Sequence, residues 1–582
     1  MPTTSTRSWL LLALCLASPL AAQTPPNTLL IVADDVGVDG IGCYGLGSAP
    51  PPTPNLDALA ARGVRFTEAT VCPTCSPTRA SLLTGRHGFR TGIGVALMGN
   101  AAGLAPSETL LPEILSPAGI RTGLVGKWHL GTDLGPATPT AEGFDVFTGS
   151  LQGALPSYYQ WAKVENGTTS PTTNYATTDT VDEALQFVTT SGSQPWFLMV
   201  GFNAGHTPYE APPAGLHTQN LSGLDPTTSP LPFYKAMVQA MDTELGRLLA
   251  SLPPSTLANT NVVFVGDNGT AMGVVEAPFD PARSKGTLYQ GGVRVPLIAA
   301  GPSVGGPPRT EAALVHAVDL FATLAALQGV DARAAVPAST PLDGVSVAPL
   351  LGSAGGGGPR QFVYTQEFSG NTAMAASGDG ELMRDARWVL LRVVRPNLTV
   401  REELYDLAND PWQNTNLLLQ SLGSEASAAY TRLRRELARL RGYAWSASYG
   451  SGCSGGGLTP SLAVVAGSTP TLGTTFTLRV SGLSAAVLAT VGAVGFDASS
   501  WNGIPLPADL TAAGMNGCAL LLAPVLTTVL AGTATTAMLP IALPNSPAIV
   551  GQALFAQGFP LLAAANPAGI LATNGIEAIV GN

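Results

Sequence analysis

Thr28-Leu29-Leu30-Ile31-Val32-Ala33 runs straight into Asp34-Asp35. A short uncharged aliphatic run of this kind reads as a strand covered on both faces, as in a parallel sheet. Three further runs share the form. Thr122–Gly126 ends at Lys127-Trp128-His129, Trp196–Phe202 ends at Asn203 to His206, and Asn261–Gly266 ends at Asp267-Asn268. In open α/β sheets the ligand site lies at the carboxyl ends of the strands. Four strand ends carrying carboxylates, amides, an amine and imidazoles therefore predict a single site on one α/β sheet.

Helical patterns fall between these runs, over Asn55–Gly63, Pro77–Leu83, Tyr234–Leu249 and Asp319–Gly329. Pro77 suits the first turn of a helix. The fold class expected for residues 27–358 is α/β, a large, mostly parallel sheet flanked by helices. After Pro359 the pattern changes to short strands at Gln361–Glu367, Trp388–Val394 and Glu403–Leu407, then a charged helix at Ser424–Arg441. Residues 359–443 thus read as a small α+β subdomain. Beyond Arg441 the only charged residues are Arg479, Asp497, Asp509 and Glu577. Regular turn signals between short apolar stretches predict an all-β, sandwich-like module over 450–582.

The chain has 582 residues with 45% hydrophobic and 11% charged, the composition of a folded protein of two or three domains. A net charge of -10 speaks against a nucleic-acid partner. An anionic substrate needs local cations against that field. Residues 1–22 read as a signal peptide: Arg7, the apolar run Trp9–Leu16, then small residues to Ala22. The run is too short to span a bilayer. An exported chain is expected, with Cys453 and Cys518 free to form a disulfide. Cys43 and Cys72 read as buried thiols or a bridge.

Asp34, Asp35, Asp267 and Asn268 bring oxygen ligands only, the donor set of a hard cation. Calcium fits best and magnesium second. A single acidic pair after a strand is often only a cap or a turn; the second pair makes the metal reading the stronger one. Lys127 and His129 lie two apart, so on an extended segment both side chains face the same way. Taken singly, His129 reads as a core histidine and Lys285 as a solvated lysine.

Cys75-Ser76-Pro77-Thr78-Arg79, followed by Thr84-Gly85-Arg86, resembles the signature of the formylglycine-dependent sulfatases, in the alkaline phosphatase superfamily. The resemblance extends over roughly residues 27–443, through Gly126 to Gly131, the turn around His206, and Lys285-Gly286-Thr287. It implies that Cys75 is oxidised to formylglycine by a formylglycine-generating enzyme. It also implies that Asp34, Asp35, Asp267, Asn268 and residue 75 bind the metal. Arg79 would hold the hydrate and the metal carboxylates in register, and Lys127 would bind sulfate. His129 would take a proton from the residue-75 hydroxyl, and His206 would be the general acid, assisted by Lys285. One hydroxyl of the hydrate would attack sulfur and the other would later expel inorganic sulfate.

Gln290 replaces an acidic residue more usual in that family, which would deprive Arg294 of an ion-pair partner. His87, His217 and His316 match no motif and read as structural. Substrate specificity is expected from loops 131–174 and 210–232, where Tyr158, Tyr159 and Trp161 either stack on a sugar or pack on the core. The expected substrate is a sulfate ester, preferably on a glycan. Three alternatives stand beside it: a phosphonate or phosphodiester hydrolase of the same superfamily, a two-zinc phosphatase with a Ser or Thr nucleophile, and a non-enzymatic binding protein.

Overall fold

The computed structural model describes residues 24–99, 101–306, 308–352, 358–369, 379–395, 397 and 399–582. The expected signal peptide lies outside the described residues. In chain order the first part contains β1 (Asn27–Ala33), α1 (Pro54–Ala61), β2 (Val64–Phe66), α2 (Cys75–Thr84), β3 (Arg121–Lys127), β4 (Val146–Ser150), β5 (Trp161–Glu165) and β6 (Thr168–Thr172). It continues with α3 (Ala176–Ser191), β7 (Trp196–Gly201), α4 (Pro230–Ser251), β8 (Thr260–Gly266), β9 (Leu297–Ala300), β10 (Arg309–Glu311) and α5 (Ala317–Leu327).

These strands form one ten-stranded sheet in the order β10-β2-β9-β8-β1-β7-β3-β4-β5-β6. The central block β8-β1-β7-β3-β4 is parallel throughout. Alternation along β1 shows why its run is apolar at every position. Leu30 and Val32 enter a core that includes Leu82 and Leu83 of α2 and Phe321 and Leu324 of α5. Leu29, Ile31 and Ala33 enter the opposite core, with Leu56 of α1, Val181 of α3 and Met237 of α4. The four chemically loaded strand ends are those of β8, β1, β7 and β3, which are consecutive neighbours. Register also sets Gly126 beside both Gly201 and Gly149. A Cβ at Gly126, whose φ is 92°, would lie 2.0 Å from the Gly201 carbonyl oxygen, so only glycine fits there.

A four-stranded antiparallel sheet follows, built from Val363–Glu367, Gly380–Arg384, Trp388–Val394 and Val400–Asp406. Helix α6 (Ser424–Arg441) docks on it through Ala429, Leu433 and Leu437. Full burial of each leucine contributes about 1.5–3 kcal/mol, enough to fix an otherwise charged helix. The remaining residues form antiparallel sheets of five and four strands packed face to face around Phe476, Leu478, Leu539 and Ile576. Cys453 and Cys518 are joined by a disulfide, while Cys43 and Cys72 are free thiols. No helix among the described residues is long and apolar enough to cross a membrane.

Candidate active site

Helix α2 begins at Cys75 itself, two residues earlier than the proline suggested, and Cys75 is buried at its first turn. Unpaired N–H groups at a helix start favour negative charge. The thiol does not profit from this, because burial pushes Cys75 up to about 12, against a partly opposing influence of Lys127. An unmodified Cys75 is therefore a neutral thiol at ordinary pH and a poor nucleophile.

Arg79, one turn along α2, is fully buried. Its Nε and Nη2 donate to Asp267 Oδ2 at 3.1 and 2.9 Å, and its Nη1 donates to the Lys127 carbonyl at 2.8 Å. One guanidinium thus ties the nucleophile helix to the ends of β8 and β3. Lys127 Nζ lies 2.5 Å from Asp34 Oδ2, and Lys285 Nζ lies 2.6 Å from Asp35 Oδ1. Asn268 Nδ2 donates to Asp35 Oδ1 at 2.8 Å. The turn itself is held from outside. Tyr234 donates its hydroxyl to the Asp35 carbonyl at 3.0 Å, where Asp35 adopts a left-handed φ of 58°.

Three carboxylates, Asp34, Asp35 and Asp267, therefore stand against three cations, Arg79, Lys127 and Lys285. Burial alone would raise Asp34, but Lys127, with His206, Arg79 and Lys285, holds its carboxyl well below the usual range. Burial and the nearby Asp34 charge raise Asp267 to about 6 in spite of Arg79 and Lys127. Two buried oxygens, Asp34 Oδ1 and Asn268 Oδ1, have no hydrogen-bond partner. Such orphaned acceptors are costly unless a cation takes them. Ligand atoms of Asp34, Asp35, Cys75 and His206 all lie within 4.8 Å of one another. The oxygens of Asp34, Asp35 and Asn268 thus fit a hard divalent cation, with residue 75 and His206 at the same point, while Asp267, whose Oδ2 is taken by Arg79, is not in that group.

The two histidines differ in how they are set. His206 Nδ1 is 2.8 Å from the Thr207 carbonyl, so Nδ1 carries the proton and Nε2 is the nitrogen left for proton transfer. His129 Nε2 is 2.8 Å from the Leu97 carbonyl, which leaves Nδ1 as a bare acceptor; that atom is buried without a partner. Burial and the Lys127 charge keep His129 well below the ordinary imidazole value. Extended geometry ends before this residue, whose φ is 60°. The period-two argument for Lys127 and His129 therefore does not apply, although both side chains reach the site.

Contacts decide between the open readings for the loop aromatics, bear out the structural histidines and correct the expectation for Arg294. Tyr158 is only 1% exposed, and its hydroxyl donates to the carbonyls of Asn203 and His206, the latter at 2.9 Å. It braces the His206 turn rather than offering a face to a sugar. Trp161 is buried with its Nε1 on the Asn174 carbonyl, and the Tyr159 hydroxyl donates to Ala211. Arg294 does find an ion-pair partner: Glu68, at 3.1 Å. His87 and His316 pack ring to ring at 5.1 Å, beside Tyr364, as structural residues. The sequence reading named Tyr158 but not its bond to the His206 turn, and it missed the Ser76 hydroxyl, which accepts from Leu97 N at 3.0 Å. It also missed Gly153, where a Cβ would fall 2.3 Å from His129 ring atoms. Nothing in local sequence marks these pairs.

Comparison with known proteins addresses the chain's family and fold. The family pattern described as Sulfatase matches residues 26–330. Human arylsulfatase A is 32% identical over 458 residues, covering 70% of this chain and 86% of that protein. The N-acetylgalactosamine-6-sulfatase of Sus scrofa is 32% identical, covering 64% and 74%. Among solved structures, Ps i-CgsB in complex with k-i-k-neocarrahexaose superposes with a TM-score of 0.60 at 27% identity, covering 72% of this chain and 92% of that one.

Proposed function

The chain belongs to the sulfatase family of sulfuric ester hydrolases, and from that premise we propose that it hydrolyses sulfate esters carried on glycans, at the site around residue 75. The observation that carries the reading is the pair of partnerless buried oxygens, Asp34 Oδ1 and Asn268 Oδ1, beside a cysteine at the start of α2. The named relatives that act on sugars, and the neocarrahexaose held by Ps i-CgsB, support a glycan substrate.

Asp34, Asp35, Asp267 and Asn268 would hold the cation, calcium before magnesium, and Cys75 is the residue oxidised to formylglycine by the maturation enzyme. These groups supply a hydrated aldehyde whose two hydroxyls can in turn attack and expel sulfate, together with Lewis-acid polarisation. The chain's own residues do the rest. Three carboxylates already balance three protein cations, so a divalent ion leaves the pocket net positive, as an anionic ester requires. Lys127 and Lys285 bind the sulfate oxygens and neutralise charge that grows in the transition state. His206, fixed through Nδ1 on Thr207, gives the proton on Nε2 to the departing alcohol. His129 accepts a proton at Nδ1 from residue 75. Arg79 holds Asp267 and the β3 end in place.

Export, through residues 1–22, agrees with the Cys453–Cys518 disulfide, a bond of oxidising compartments. Mass spectrometry of the tryptic peptide Phe66–Arg79 tests the reading. The expected result is an aldehyde at residue 75 and a thiol at residue 72, with activity lost in Cys75→Ala. Full activity in protein whose residue 75 is entirely thiol would refute it.

A further inference from the structure

Only six aromatic residues follow Trp445, and three of them, Tyr449, Phe496 and Phe555, line a single groove. The groove measures about 570 Å³ and runs between α6 and the five-stranded sheet, with Arg435 and Arg439 on the helix side and Glu577 on the sheet side. Single exposed apolar residues need no explanation, but half of a scarce residue type on one concave surface does. Two of the rings are held in place. Tyr449 donates its hydroxyl to the Leu521 carbonyl at 3.0 Å and meets Phe555 edge to face at 5.8 Å. Phe496 is 67% exposed.

The polar side is only loosely paired. Arg435 is shared between Glu436 at 3.0 Å and Glu577 at 3.6 Å. Arg439, one turn further along the helix, is half exposed, and its ion pair with Glu436 is stretched to 3.9 Å. A solvent-exposed pair of that kind contributes little, so an incoming anion displaces it readily. An aromatic surface next to a weakly paired guanidinium matches a sugar ring bearing an anionic substituent. The planar fork of arginine suits the oxygens of a sulfate.

We propose that this groove is a second saccharide subsite, which binds a sulfated glycan with a ring against Phe496 and Tyr449 and a sulfate at Arg439. The proposal rests on the glycan reading above. Its consequence is bivalency: a polymer held in the groove raises the effective concentration of its own ester groups at residue 75. This also gives the β module, which contributes nothing to the residue-75 site, a task.

The test is electrophoretic retardation of the full-length enzyme in native gels containing carrageenan or chondroitin sulfate, with desulfated polymer as the control. Phe496→Ala and Arg439→Gln are expected to weaken binding roughly three- to tenfold each. Turnover of a small aryl sulfate should be unchanged, because both residues lie outside the catalytic site. The proposal is overturned if both variants bind like the wild type, if the desulfated polymer binds equally well, or if neither sulfated polymer retards the wild type. Sulfate release from the same polymers reads the glycan assignment separately. Retardation without release keeps the groove and removes glycan hydrolysis, whereas release with unaffected variants does the reverse.

Discussion

His129 and Leu97 are joined by a 2.8 Å hydrogen bond from the imidazole Nε2 to the main-chain carbonyl. Because a carbonyl can only accept, the bond fixes the tautomer and leaves Nδ1 as the basic nitrogen. Leu97 is itself held through its N–H on the Ser76 hydroxyl, next to the nucleophile position. The base and residue 75 thus share one clamp.

The Gly153 position tests that clamp. An added methyl would fall 2.3 Å from the His129 ring, in a loop where the fold does not need it. Gly153→Ala should therefore displace the imidazole and lower kcat about 100-fold, the loss expected of an ångström-scale misplacement. Thermal unfolding should be little changed. Steady-state kinetics alongside a melting curve check both halves, and unchanged kcat would mean that His129 does not act from this position.

Tyr158 should matter through His206. Tyr158→Phe removes a hydroxyl that donates to two carbonyls of the His206 turn. A typical hydrogen bond contributes about 1 kcal/mol, so a stability loss of about 1–3 kcal/mol is expected. The kinetic signature is more specific. If His206 protonates the leaving oxygen, turnover of sugar sulfates, whose alcohols leave poorly, should fall more than turnover of nitrophenyl sulfate. An equal fall for both would confine Tyr158 to a purely structural part.

His87 and His316 predict an acid limit for stability. Burial first, then the Arg360, Arg90 and Arg441 charges, keep His87 well below 6.5 in the folded chain. Burial, His87 and Arg360 do the same for His316. A depressed folded value means that the unfolded chain binds more protons below pH 6.5. Stability is therefore fully present above that pH and falls as the pH drops, by up to about 1.4 kcal/mol per pH unit for each imidazole. Denaturant unfolding between pH 7 and pH 5 should show this slope, and His87→Gln should reduce it.

Much of this was legible in the sequence because β1, β3, β7 and β8 are covered on both faces, which forces apolar runs that stop abruptly where the site begins. The acidic pairs, Lys127 and His206 stand out for the same reason, each at such a stop, whereas Cys75, at the start of α2, stands out only through its resemblance to the sulfatase signature. What escaped was anything set by contact at long range. Tyr158 looks like an ordinary loop aromatic until the chain brings Asn203 and His206 to its hydroxyl. Arg294 loses a local acid through Gln290 but meets Glu68, 226 residues away. His129 defeats period-two reasoning because its φ of 60° ends the strand geometry, a conformation that histidine adopts more readily than most residues.

The paired acidic turns give the last prediction. Asp34 Oδ1 and Asn268 Oδ1 are buried and partnerless, so a cation bound there should favour the folded chain over the unfolded one. Stabilisation then grows as RT ln(1 + [L]/Kd), reaching about 2.7 kcal/mol when free calcium is 100 times the dissociation constant. Calcium added to chelator-treated protein should raise the melting temperature in a concentration-dependent way, and magnesium should do so less. Asn268→Ala removes one orphaned oxygen and the donor to Asp35, so its melting temperature should respond weakly or only at higher calcium. This readout needs no turnover, so it reports the cation apart from catalysis at residue 75. A melting temperature that ignores calcium in the parent protein would remove the cation from the reading while leaving the histidines and lysines where they stand.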